Sequence, residues 1–230
     1  EVDPFTEKRP SIGDMRANSP MAMRIKLMWQ AMREDVIGKL PAPTPMNDIE
    51  AYLKQVDEIY VTDAYHSLSI EGYRVSVELI ERVRSGAWNP DAIEEDKKHR
   101  DALAARGYWQ AFQEVKNSVQ KCLEGKNAGQ IADQDHGTWY RELFAPSITA
   151  GLLKLSDLAG YRNAPVYIRR SMHVPPPIEA VRDAMPALFE LLEAEGDAGV
   201  RVVLGHFIFV YIHPYIDGNG RTGRFLMNIM

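Results

Sequence analysis

The last eighteen residues, HPYIDGNGRTGRFLMNIM from His213 to Met230, constrain the chain more than any other stretch. The apolar run Val202 to Ile212 must end there, because the Pro214 ring disfavours helical geometry at His213 and removes a backbone donor. Gly218 and Gly220 then let the backbone turn and approach a ligand closely. From Arg221 to Met230 a helical pattern resumes, with Phe225, Leu226 and Ile229 inward. A glycine-bounded loop thus feeds a helix N-terminus, where unpaired N–H groups and the positive end of the helix dipole favour phosphate.

The side chains sharpen that expectation. Arg221 and Arg224 lie three apart on one face of the first turn, where the dipole disfavours cations, so an anionic partner is expected. Asp217 stands just before the glycines, placed to hold a hard cation such as Mg2+ against the same phosphates. His213, with an ordinary pKa near ~6.5, takes up a proton at neutral pH.

The run His213-Pro214-Tyr215-Ile216-Asp217-Gly218-Asn219-Gly220-Arg221-Thr222-Gly223-Arg224 resembles the signature of Fic-domain proteins, HPFx(D/E)GNGRxxR, with Tyr215 where Phe is usual. The resemblance implies a mainly α-helical bundle with a β-hairpin flap over the active site. It also implies transfer of AMP from ATP to a protein hydroxyl, with His213 as base and Mg2+ held by Asp217. Ile216, Asp217, Gly218, Asn219, Gly220, Arg221 and Arg224 are the implied ATP-binding set. The flap is expected in GYRNAPVYIRRSMHVPPP, where β-prone runs flank Arg169-Arg170-Ser171.

A second, shorter pattern lies upstream. Ser67, Glu71 and Gly72 match (S/T)xxxE(G/N), which resembles the inhibitory motif of many Fic proteins. Its place on the N-terminal side of the Fic motif corresponds to the class II arrangement, in which Glu71 would pair with Arg224 and deny that arginine to the γ-phosphate. The local physics agrees, since Glu71 falls in a last helical turn where a carboxylate is disfavoured, with Gly72 as the stop. The same glutamate would suit hydrolysis of AMP from a modified target, so the reverse reaction stays open. So do other transferred groups (UMP, phosphocholine or phosphate) and a non-catalytic, nucleotide-gated interaction module.

The rest of the chain bounds the partners. A net charge of −5, with no Lys/Arg-rich block, argues against a nucleic-acid surface, unless a further C-terminal domain supplies one. Cys122 is the only cysteine and the start shows no signal peptide, so a reducing, cytoplasmic setting is expected. The run Val202 to Ile212 is too short for the ~20 residues a bilayer requires. The partners expected are ATP and a target protein, the protein itself included, with a homodimer also allowed and no membrane. The Arg224 helix reaches Met230 without a stop signal, so the chain is expected to continue beyond it.

In order, the spacing predicts an irregular arm over 1–20 and an amphipathic helix over Met21 to Val36, together an N-terminal unit reaching residue 45. The Fic domain is expected over 46–230. It begins after the linker Pro41 to Pro45 with a helix capped at Asn47 and running toward Glu71. Further helices are expected over Val75 to Val83, Ala92 to Leu123, His136 to Phe144, Ile148 to Leu155, Ile178 to Leu192 and Val200 to Ile212. His66 and His136 read as structural histidines, His66 partly buried and His136 buried and hydrogen-bonded.

Overall fold

The computed structural model describes residues 19–41, 48–88 and 100–230. Residues 1–18 of the arm expected over 1–20, the cap at Asn47 and the expected start of a helix at Ala92 lie outside them. Eight α-helices are formed among the described residues, together with one short 3-10 turn at Leu155–Leu158.

Helix α1, Pro20–Val36, starts where Ser19 Oγ accepts from the Ala22 N–H and Pro20 takes the first helical position. Its Ile25 and Trp29 are buried against α6, Ile178–Ala194, and α7, Ala198–Ile212. Arg33 fastens it there, donating to Glu195 Oε2 at 2.7 Å and Oε1 at 3.0 Å. That pairing holds the Glu195 carboxyl at about 2, below its usual range.

Helix α2, Ile49–Ile70, is capped by Asp48, which accepts from the Ala51 N–H at 2.9 Å. At its far end Tyr73 N–H reaches Leu68 O and Gly72 N–H reaches Ser69 O, with Gly72 at φ +84. These two bonds form the paired C-terminal closure that a left-handed glycine permits, so the predicted stop at Gly72 is present. His66 on this helix is exposed, not half-buried as the sequence was read, because it projects from the side away from α4.

Helix α3, Val77–Arg84, packs on α2 and on α4, Arg100–Leu123. The connection 124–127 folds α5, Ala128–Thr149, back along α4 in the most extensive helix pairing of the molecule. Two short helices were expected where α5 stands. Pro146 does not divide it: it forfeits only its own N–H bond to the carbonyl four residues earlier, and Ala150 N–H still reaches Pro146 O. The core fills the space between α4, α5, α6 and α7 with Tyr108, Phe112, Trp139, Leu143, Met185, Leu188, Ile208 and Phe209. Helix α8, Asn219–Asn228, leans on α7 and touches α2, α4 and α5. No described helix is long and apolar enough to cross a membrane.

The flap departs from expectation. Residues 164–177 form no strand; they hold a turn closed by Ser171 N–H to Ile168 O, and no ladder joins its two sides. Pro165 and Pro175 to Pro177 lack N–H donors, and Arg170 takes the left-handed turn position at φ 61 where a glycine would be expected. His173 Nε2 is instead anchored to Tyr211 O of α7 at 2.8 Å.

Candidate active site

The loop between α7 and α8 is built by local chemistry. His213 ends α7 in the left-handed region, φ 53 and ψ 60, a conformation that non-glycine residues rarely hold without external support. Its N–H still donates to Phe209 O at 2.9 Å, while its carbonyl accepts from Arg162 Nε at 2.8 Å. Arg162 is buried and also donates to Pro176 O, and its own N–H donates to Pro214 O at 2.8 Å. One guanidinium therefore ties the α7–α8 loop to Pro176 at the end of the expected flap.

The His213 ring is fixed by Nδ1, 3.2 Å from Val210 O. A carbonyl only accepts, so Nδ1 carries the proton and Nε2 keeps a free lone pair. Burial lowers the His213 pKa, with Arg162 and His173 adding to the effect and Val210 and Glu71 opposing it. The imidazole is thus neutral at pH 7 and able to accept a proton. His136, by contrast, is buried and committed to Ala132 O, Asp133 O and Tyr161 Oη, as the sequence was read.

Asn219 staples the loop. Its amide nitrogen donates to Tyr215 O and its carbonyl accepts from Tyr215 N–H, both at 2.8 Å. Asn219 belongs to the implied ATP-binding set, but its side chain is spent within the loop, which leaves its backbone N–H. Tyr215 is buried and stacked on Tyr140 with centroids 3.7 Å apart, so the ring that departs from the Fic signature still fills a core position.

Gly218, at φ +78, begins α8, and a Cβ there would crowd the Phe144 ring. The first N–H groups of α8 face this loop without helical acceptors. Asp217 is exposed, with Oδ1 accepting from the Gly218 N–H at 2.7 Å and Oδ2 3.5 Å from Arg221 Nη2. Ile216 is half-exposed beside it, on the rim of a cavity of about 280 Å³ shared with Tyr73, Tyr140 and Phe144.

Among the described residues no three His, Cys, Asp or Glu side chains converge as a metal cage. A lone exposed carboxylate is nevertheless what Mg2+ uses when phosphates and water complete its shell, so the donor set fits that ion. Arg221 is almost fully buried, its guanidinium 5.1 Å from the Tyr73 ring centre and 5.0 Å from that of Phe144. A cation so desolvated interacts strongly with any anion brought near it.

Arg224 faces α2. Its Nε donates to Ser67 Oγ at 2.7 Å, and its Nη2 donates to Ser67 O at 3.2 Å and to Glu71 Oε1 at 2.6 Å. Ser67, Glu71 and Arg224 are therefore one constellation at the first turn of α8. Arg162 was missed by sequence reasoning, as were the rings that sandwich Arg221. Their partners lie far off along the chain, and neither spacing nor composition signals them.

Residues 134–230 match the family model described as Fic/DOC family. Over these residues the chain is similar to the Fic/DOC family. That match covers the α7–α8 loop and leaves α2, with Ser67 and Glu71, outside it. A probable protein adenylyltransferase of Aquifex aeolicus is 26% identical over 189 residues, 80% of this chain and 52% of that protein. A protein adenylyltransferase Fic of Culex quinquefasciatus is 25% identical over 227 residues, 96% of this chain and 42% of its own. One from Nematostella vectensis reaches 40% over 72 residues, 30% of this chain and 16% of its own.

The chain thus spans about half the length, or less, of the curated relatives it matches. A crystal structure of a Fic family protein from Desulfovibrio desulfuricans superposes with a TM-score of 0.58 at 20% identity, covering 92% of this chain and 57% of the other. The Fic fold is shared along nearly the whole chain.

Proposed function

We propose that this Fic domain is the catalytic core of a protein adenylyltransferase held in check by Glu71. The observation that carries the reading is the neutral His213, its free Nε2 set beside a helix N-terminus that also presents Arg221 and Arg224. In the reaction, a Ser, Thr or Tyr hydroxyl of a target protein attacks the α-phosphorus of ATP. The new O–P bond forms as the bond to the β-phosphate oxygen breaks, pyrophosphate leaves, and the hydroxyl proton passes to His213 Nε2.

The backbone N–H groups at Asn219 and Gly220 would cradle phosphate oxygens, and Arg221 and Arg224 would neutralise the β- and γ-phosphates. Positioning and charge neutralisation dominate such transfers. Mg2+ held by Asp217 would screen the charge on the phosphates. The names of the curated relatives favour AMP as the transferred group and ATP as its source.

Glu71 occupies Arg224, so ATP bound in this state would lack one γ-phosphate contact. The same carboxylate could orient a water toward an AMP-modified target, and its place on Arg224, at the first turn of α8, is the observation that keeps the reverse reaction as a second reading.

The test is to incubate the Glu71→Gly protein with ATP labelled on either the α- or the γ-phosphate. Label should enter protein from the α-position only and vanish when His213→Ala is added. Incorporation from the γ-position, or activity that survives loss of His213, contradicts the reading. Release of free AMP from a modified target by the wild-type protein would establish the reverse reaction.

A further inference from the structure

Glu71 is not the only residue at the end of α2 that reaches α8. Tyr73, two positions on, is buried, and its ring centre lies 5.1 Å from the Arg221 guanidinium of α8 and 4.9 Å from that of Arg100 on α4. Its N–H donates to Leu68 O at 3.1 Å, the bond that closes α2 around the left-handed Gly72. One residue thus terminates the helix that leads to Glu71 and also rests on a cation of another helix. Arg221 and Arg224, three apart on α8, are each engaged from the end of α2, the first by a ring and the second by a carboxylate.

We infer that Tyr73 is a positioning residue of the inhibitory contact: by stacking on Arg221 it pins the end of α2 and so keeps Glu71 on Arg224. The inference rests on the inhibitory reading of Glu71 proposed above. Glu71 caps α2 just beyond its last helical residue, where the backbone has lost its downstream partners. Among the described residues its carboxylate makes one hydrogen bond, to Arg224 Nη2. A helix end held by one side chain opens easily, and the Tyr73 ring adds a second point of attachment two residues away.

The second attachment is the drier of the two. The Glu71 and Arg224 side chains are 27% and 22% exposed, so water and salt screen their attraction. Arg221 is 1% exposed, its Nε has no hydrogen-bond partner among the described residues, and its guanidinium lies 5.0 Å from the centre of the Phe144 ring as well. A ring face attracts a cation most strongly where water is excluded, as it is at Arg221.

The test is an activation ratio: the initial rate of AMP incorporation with Glu71→Gly divided by the rate with Glu71 in place, measured for each form of residue 73. Tyr73→Phe keeps the ring, and Tyr73→Met fills much of the same space with a flexible chain that has no π face. Tyr73→Phe should leave the ratio at its wild-type value. Tyr73→Met should lower it about threefold to tenfold, the range for losing a desolvated cation–π contact, because a loosely held Glu71 inhibits less and its removal gains less. Phe144→Met takes the other ring from Arg221 without altering the chain next to Glu71, and should leave the ratio unchanged.

The ratio divides out any weakening of Arg221 as a phosphate contact and any general damage to the fold, since both lower the two rates alike. An unchanged ratio with Tyr73→Met therefore shows a merely structural role and overturns the inference. A ratio lowered by Tyr73→Phe, or lowered by Phe144→Met as much as by Tyr73→Met, overturns it as well. The Tyr73→Phe result stands even if Tyr73→Met does not fold. A Glu71→Gly protein no faster than wild type, with Tyr73 intact, removes the inhibitory reading and this inference together, and that comparison is read before any change at position 73.

Discussion

Gly220 is the residue that admits Glu71 to the first turn of α8, because a Cβ at position 220 would overlap Glu71 Oε1 and press on Arg224 Nη1. Gly220 lies in the first turn of α8, and no positive φ demands a glycine there. What requires it is the close approach of a carboxylate from another helix. A residue that reads as part of an ATP-binding loop is thereby also part of the contact with α2.

This yields a prediction about stability alone. In the wild-type background Gly220→Ala should cost about 1–2 kcal/mol, the overpacking penalty of a misplaced methyl group less the helical preference of alanine. In the Glu71→Gly background the overlap is gone, and the same change should be neutral or stabilising by about 0.5–1 kcal/mol. Urea denaturation of the four proteins measures the difference. An equal cost in both backgrounds would place the clash elsewhere.

The pH dependence follows from His213. As a base it must be neutral, so the rate is full above its pKa and falls as the pH drops through it. Burial holds that pKa below the ordinary value of ~6.5, so the acid limb of the pH–rate profile should lie on the acid side of ~6.5. The profile is best recorded with the Glu71→Gly protein. An acid limb above ~6.5 would show that His213 is not the base or is not buried in the active state.

Arg162 supplies the third prediction. It donates to the carbonyls of His213 and Pro176 and is itself buried, so Arg162→Lys replaces a planar fork with a single point of charge. The left-handed His213 then loses its outer support. Stability should fall by about 2–4 kcal/mol, as expected when buried carbonyls are left unpaired. In the Glu71→Gly background AMP transfer should fall at least about tenfold, the equivalent of ~1.4 kcal/mol in the barrier. Full activity with Arg162→Lys would mean that His213 is held by other means.

How much of this was legible in the sequence depended on how far apart the partners lie. The His213 to Arg224 loop was readable because proline, glycine and a helix N-terminus act within a few residues of one another. The end of α2 at Gly72 was readable for the same reason, and it placed Glu71 at a helix terminus. Arg162 was not readable, since its acceptors at His213 and Pro176 are brought to it only by the fold.

Nothing in the sequence around Asn219 says that its amide closes on Tyr215. The flap read as a hairpin because residues 164–168 and 172–174 favour a pleated surface, but the prolines at both ends and the anchoring of His173 on α7 leave no ladder.

The central claim is that Glu71 restrains an otherwise competent site by occupying Arg224. Its most direct test is the initial rate of AMP incorporation from α-labelled ATP with Mg2+, measured side by side for the wild-type and Glu71→Gly proteins. Loss of a charge-assisted contact at 2.6 Å should raise that rate about tenfold to a hundredfold. A Glu71→Gly protein that labels no faster than wild type would contradict the claim.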